Sequence, residues 1–135
     1  MPAIDIDVLY AYLKPTDWLK ASSNAIISKI ESGVLDGYTS IIAVTELEIV
    51  SKRDFDVSFS NSIYANIKEI KNIGLKVLTE DVVSKAVGIR EKYGLNIFDS
   101  IHAATALLND KIVISTDDVF DDVKGLNRID PRTIG

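Results

Sequence analysis

The chain has 135 residues, 47% hydrophobic and 26% charged, the mixture of one globular domain over residues 1–135 with a real core. No apolar run approaches the ~18 residues of a membrane span, the opening MPAIDID lacks the basic start of a signal peptide, and there is no cysteine. Membrane insertion, disulfides and thiolate metal sites are therefore excluded, and a cytoplasmic location is expected. A net charge of −5 argues against a broad basic surface for nucleic acid, unless a bound divalent cation offsets it.

AIDIDVL predicts a strand, apolar at Ala3, Ile4, Ile6 and Val8, that runs into YAYL until Pro15 breaks it. TDWLKASSNAIISKIES reads as a helix capped by Thr16 and stopped at Gly33. YTSIIAVTELEIVSK is a short extended entry and then an apolar-striped helix. SFSNSIYANIKEIKNIG is an amphipathic helix ending at Gly74, and LKVLT is a short strand. TEDVVSKAVGIREKYG opens on Thr79 as cap, places acids in its first turn and ends at Gly94. From Ser100 to Leu108 there is no Asp, Glu, Lys or Arg, which predicts a helix buried on nearly all sides. KIVIST is a buried strand, DDVFDDV a turn or short helix, and LNRID a last edge strand. Strands alternating with helices imply an α/β fold with a short, mostly parallel central sheet flanked by helices on both faces. Ligands of such sheets bind beyond the carboxyl ends of the strands.

Most of the 20 acids need no explanation, but four sit where a charge is costly. At about 100° per residue, Glu46 falls in the apolar stripe of Ile42, Ile49 and Val50, with Glu48 roughly opposite. Asp99 opens the buried helix; the bland alternative is that it serves the N-terminus, with Asn96 as cap. Asp5 lies inside the first strand's apolar run, with Asp7 two residues on. Asp117 follows the strand IVIS, and Asp118, Asp121 and Asp122 crowd the same turn. Four carboxylates brought to one end of a sheet cannot all ionise without a cation, and oxygen ligands select hard ions such as Mg2+ or Mn2+.

These blocks resemble the PIN-domain family. AIDIDVLYAYL is similar to its opening, with Asp5 on the family acid and Asp7 where Ser, Thr or Asn is usual. AVTELEIV resembles the second block through Glu46, and NIFDSIHAATALL the third through Asp99. IVISTDDVFDDVKGLNRIDP resembles the fourth, a strand, then Ser/Thr-x-Asp, then Phe three residues on, matched by Ser115, Asp117 and Phe120. Size and compactness are those of the VapC-like toxins of type II toxin–antitoxin pairs. The resemblance implies a metal-dependent endoribonuclease that cleaves RNA phosphodiesters by metal-activated water. It also implies a homodimer and a small antitoxin partner. Asp5, Glu46, Asp99 and Asp117 would be its catalytic and metal-holding residues, with Asp7, Ser115 and Asp118 beside them.

Two other readings compete. Asp5-x-Asp7 after a strand also opens haloacid-dehalogenase-like phosphohydrolases, with Asp5 as nucleophile and Asp7 as acid/base, and Lys111 and Asp117–Asp118 imitating later motifs. That reading lacks the expected Gly-Thr and leaves Glu46 and Asp99 unexplained. A non-catalytic PIN-like binding module is the third. His102, the single histidine, reads as a structural residue within reach of Asp99 at most. Tyr10, Tyr12 and Trp18 read as core or interface, and Lys14, Lys52 and Arg53 as phosphate contacts.

Overall fold

The computed structural model describes residues 2–134. Five strands, β1 (Ala3–Ile4), β2 (Tyr38–Ser40), β3 (Gly74–Lys76), β4 (Ile112–Ile114) and β5 (Asn127–Ile129), form one sheet in the order β3-β2-β1-β4-β5. Every pair is parallel, with Ala3 opposite both Tyr38 and Val113, and Ile4 opposite Ile114. Six helices connect or follow them: α1 (Ile6–Leu13), α2 (Lys20–Glu31), α3 (Ile41–Asp54), α4 (Val57–Lys68), α5 (Glu80–Tyr93) and α6 (Ile97–Leu107). The chain runs outward to β3 on one side of β1 and then returns to build β4 and β5 on the other. The reversal lies between β1 and β4, where sheets of this kind open a crevice at the strands' carboxyl ends.

Neighbouring strand residues face opposite ways, and the core divides accordingly. Ile4 and Ile114 pack with Leu9, Ile26, Ile30, Leu47, Ile63 and Ile67 of α1–α4. Ala3, Tyr38 and Val113 pack with Ala86 and Ile89 of α5, Ala103, Ala104 and Ala106 of α6, and Phe120. The expected helices on both faces are therefore present, and the sheet is wholly rather than mostly parallel.

Several boundaries differ from the sequence reading. The first strand stops at Ile4, and the residues after Asp5 coil into α1, because Ile6, Leu9, Tyr10 and Leu13 repeat at helical spacing. The helix expected from Thr16 starts at Lys20. Asp17, Trp18 and Leu19 turn into it, with the Asp17 side chain accepting from the Leu19 amide at 2.8 Å and its carbonyl from the Lys20 amide at 3.0 Å. The Lys20 ammonium caps the end of α1 through the Tyr12 and Lys14 carbonyls at 2.8 and 2.6 Å. Helix α4 ends at Lys68 rather than Gly74. Asn72 takes the left-handed conformation and donates to the Glu31 carbonyl at 3.0 Å, while Gly74 starts β3.

Other expectations hold. Thr79 accepts from the Val82 amide at the start of α5, and Gly94 ends that helix at φ +74°. In α6, Ser100 and every residue through Ala106 are buried. The segment after β4 is a short 3-10 turn, Asp118–Asp122, and β5 is an edge strand.

Candidate active site

Asp5, Asp7, Glu46, Asp99 and Asp117 line one cleft of about 510 Å3, together with Ile6, Tyr10, Asn96 and Thr116. Asp5 leaves β1 as the residue before α1, with its amide bonded to the Ile114 carbonyl at 3.1 Å. Its position spans the β1–β4 reversal. Ser115, fully buried at the end of β4, donates from its hydroxyl to Asp5 Oδ2 at 2.7 Å and accepts from the Asp117 amide at 3.0 Å. One hydroxyl thus fixes two acids. The other Asp5 oxygen, Oδ1, is buried with no hydrogen-bond partner. Burial pushes the Asp5 carboxyl up to about 7; His102 opposes this, Asp7 adds to it and Ser115 opposes it.

Asp7 lies in the first turn of α1. Its Oδ1 accepts from its neighbour's amide, Val8, at 2.8 Å, and its Oδ2 takes both the amide and the hydroxyl of Thr116. Asp7 is therefore a strap between α1 and the loop after β4. Burial raises its carboxyl, and the Thr116 bonds counter that. Thr116 was absent from the residues expected at the site; the sequence signal was its place between Ser115 and Asp117.

Asp99 and Asn96 bond reciprocally at the start of α6. The Asp99 amide donates to Asn96 Oδ1 at 2.8 Å, and Asn96 Nδ2 donates to Asp99 Oδ2 at 3.1 Å. Asp99 thus serves the helix end through Asn96 and also lines the cleft. Burial lifts its carboxyl above the usual range, and the nearby charges of Asp117 and Glu46 add to the effect.

Glu46 reaches the cleft from α3, but by a different helix phase from the one expected. The buried stripe of α3 is Ala43, Val44, Leu47 and Ser51, and Ile49 is exposed. Glu46 stands at the edge of that stripe, with its side chain 12% exposed. His102 Nε2 lies 2.8 Å from Glu46 Oε1. Burial disfavours a charged His102 ring; the Glu46 hydrogen bond and the Asp5 charge outweigh it and raise the ring above its ordinary value. This pairing was not legible in the sequence, because 56 residues separate the partners.

Asp117 is exposed at the cleft rim and caps the 3-10 turn through the Val119 amide at 3.0 Å. Asp118 is exposed in that turn and is not among the residues lining the cleft, and Asp121 pairs with Arg128 at 2.9 Å. Tyr10 lines the cleft and donates to Asp54 at 2.9 Å, whereas Tyr12 is half-buried against the core and Trp18 is exposed. Lys14 pairs with Asp17 and lies 4.3 Å over the Tyr10 ring; Lys52 and Arg53 are exposed on α3 outside the cleft lining. Among the described residues, no three carboxylates or imidazoles already stand at metal-enclosing distance.

A search of curated protein sequences finds no match. Solved structures do share the fold. FitAcB from Neisseria gonorrhoeae superposes with a TM-score of 0.73 at 18% identity, covering 98% of this chain and 99% of that one. A toxin–antitoxin complex from Klebsiella pneumoniae gives 0.69 at 17% identity, covering 97% and 98%. Mycobacterium tuberculosis VapC20, described as a sarcin-ricin-loop-cleaving toxin, gives 0.73 at 11% identity, covering 90% and 93%. The PIN domain profile matches residues 4–126, so nearly the whole chain, including all five cleft carboxylates, falls within it, and the chain belongs to the PIN domain family.

Proposed function

We propose that the protein is a metal-dependent endoribonuclease, the toxin of a toxin–antitoxin pair. The observation that carries this reading is the convergence of five carboxylates at the β1–β4 reversal, with a buried, partnerless oxygen on Asp5. A buried carboxylate oxygen without a donor is costly, and a cation relieves that cost. The oxygen donor set suits Mg2+ or Mn2+, held by Asp5, Glu46, Asp99 and Asp117. An ion held there would supply Lewis-acid chemistry, lowering the pKa of water and offsetting charge at the scissile phosphate.

The chain's own groups prepare that chemistry. Ser115 holds Asp5 and the Asp117 turn in register, Asn96 holds Asp99, and Asp7 ties the Thr116 loop to α1. Among the described residues, the cleft lining offers no cysteine and no serine as a nucleophile. There is no cysteine, Ser115 is committed to Asp5, and Ser100 is committed to the Ile97 carbonyl and to Arg90. The phosphohydrolase reading needs Asp7 as a mobile acid/base, and both of its oxygens are engaged by Val8 and Thr116. The non-catalytic reading has no missing carboxylate to recommend it.

Likeness to the Klebsiella toxin–antitoxin complex supports an antitoxin as partner, and likeness to VapC20 supports RNA as substrate. The test is incubation of the purified protein with cellular RNA in Mg2+. Wild type should yield discrete fragments, and Asp5→Asn and Asp117→Asn, folded by circular dichroism, should yield none. Equal cleavage by all three proteins would refute the proposal.

A further inference from the structure

We propose that His102 is a positioning residue that holds Glu46 in its cleft-facing pose; this rests on the reading of the cleft as a metal site. The Glu46 side chain has three rotatable bonds and stands at the edge of the apolar stripe of α3. From such an edge, an unrestrained glutamate turns its carboxylate to water. What keeps it at 12% exposure is the 2.8 Å contact of its Oε1 with His102 Nε2. Oε1 is thus the anchored oxygen, which leaves Oε2 to serve as a ligand atom. For an ionised Glu46, Nε2 must carry the ring proton.

A purely structural role accounts for less. Apart from Ile101, the other buried positions of α6 are filled by small side chains, with Ser100, Ala103, Ala104 and Ala106 fully buried. A packing residue at position 102 needs no polar atom, and a polar residue in a core is normally satisfied by nearby backbone. His102 instead spends its Nε2 on a side chain of another helix, one that lines the cleft. It stands three residues after Asp99, so α6 delivers one cleft carboxylate itself and fixes a second through the imidazole. Carboxylates that hold metal ions are themselves held by hydrogen bonds, and losing such a partner typically lowers metal affinity about 10- to 100-fold.

The experiment compares wild type, His102→Leu, His102→Gln and Glu46→Gln, all full-length and stripped with EDTA. Mn2+ binding is measured by calorimetry, and RNA cleavage by kcat and KM. Glutamine places an amide nitrogen near the position of Nε2. His102→Gln should therefore bind Mn2+ nearly as wild type does, while His102→Leu loses roughly 10- to 100-fold in affinity and in kcat with KM for RNA unchanged. In the double variant His102→Leu/Glu46→Gln, the losses should not add, because both changes break one unit. His102→Leu binding Mn2+ like wild type would overturn the proposal, and so would His102→Gln losing as much as His102→Leu.

A readout independent of metal and of leucine's tolerance at this site is proton NMR. Wild type should show a slowly exchanging, downfield Nε2 proton that moves upfield in Glu46→Gln. Its absence, or indifference to Glu46→Gln, would overturn the positioning role. Failure of the wild type to bind Mn2+ at all would instead refute the metal reading, and the NMR result would still decide whether His102 holds Glu46.

Discussion

Ser115 gives one hydroxyl to two acids, and that economy makes the site sensitive to charge at single residues. The Asp5 carboxyl is pushed up to about 7, chiefly by burial, so its protonated form fits the fold and its anion strains it. A group whose folded value lies above its unfolded value stabilises fully at low pH and loses that contribution as pH rises through the folded value. The raised His102 ring acts in the same direction. Metal-free protein should therefore melt at a lower temperature at about pH 8 than at about pH 5, a window in which ordinary surface carboxylates stay ionised. Asp5→Asn should flatten that slope while abolishing cleavage; thermal melts in EDTA across the window are the check, and a rising Tm would contradict this account. Matched neighbours give a second prediction. Glu46→Gln and Asp117→Asn should each eliminate cleavage, whereas Glu48→Gln and Asp118→Asn should leave it within about threefold, because Glu48 and Asp118 stand outside the cleft lining. Equal losses in all four would mean that the cleft is misassigned.

Helix α6 shows how an element both stabilises the fold and carries the site. Asn96 caps it and also holds Asp99, while Thr79 caps the neighbouring α5 with no link to the cleft. Asn96→Ala and Thr79→Ala should each cost about 1 kcal/mol of stability by denaturant unfolding. Only Asn96→Ala should lower cleavage, and loss of activity in Thr79→Ala would show that the assay reads stability instead. The caps and the stop of α5 were legible because Thr79, Asn96 and Gly94 act on backbone within a few residues of themselves. Helix α6 was legible from its lack of charge. The end of β1 was not, because the alternation of Ile4-Asp5-Ile6-Asp7 imitates a strand, while the helical spacing of Ile6, Leu9, Tyr10 and Leu13 emerges only over two turns. The phase of α3 differs from the sequence expectation for a related reason. Both Ile49 and Leu47 are apolar, and only tertiary packing decides that Leu47 is buried and Ile49 exposed. Glu46 still reaches the cleft, from the stripe's edge, because His102 meets it there.

On the scale of the molecule, an acidic chain is proposed to act on a polyanion, and its acids are gathered where the strand order reverses. That placement was legible, since acids following β1 and β4 must converge once the sheet is parallel. Long-range partners were not: the Asp7–Thr116 strap joins residues 109 apart, and no local pattern encodes it. Of the aromatic residues that read as core or interface, those of YAYL are largely taken up by the core, with Tyr10 and Ala11 buried and Tyr12 and Leu13 half-buried. Exposed apolar residues remain elsewhere, at Ile49 of α3, Phe55 just after it, Val57 and Tyr64 of α4, and around α5 at Val77, Val83 and Val87. A homodimer that covers such surface is expected, and sedimentation at micromolar concentration should report twice the monomer mass. A monomer would contradict it. The central claim is that the acidic cleft works through a cation, and the most direct measurement is RNA cleavage by EDTA-stripped wild type and Asp99→Asn as Mg2+ is added back. The account predicts no cleavage in EDTA, saturable recovery with Mg2+ for wild type, and none at any Mg2+ concentration for folded Asp99→Asn. Full cleavage by wild type in EDTA, with Asp99→Asn inactive in the same buffer, would contradict it.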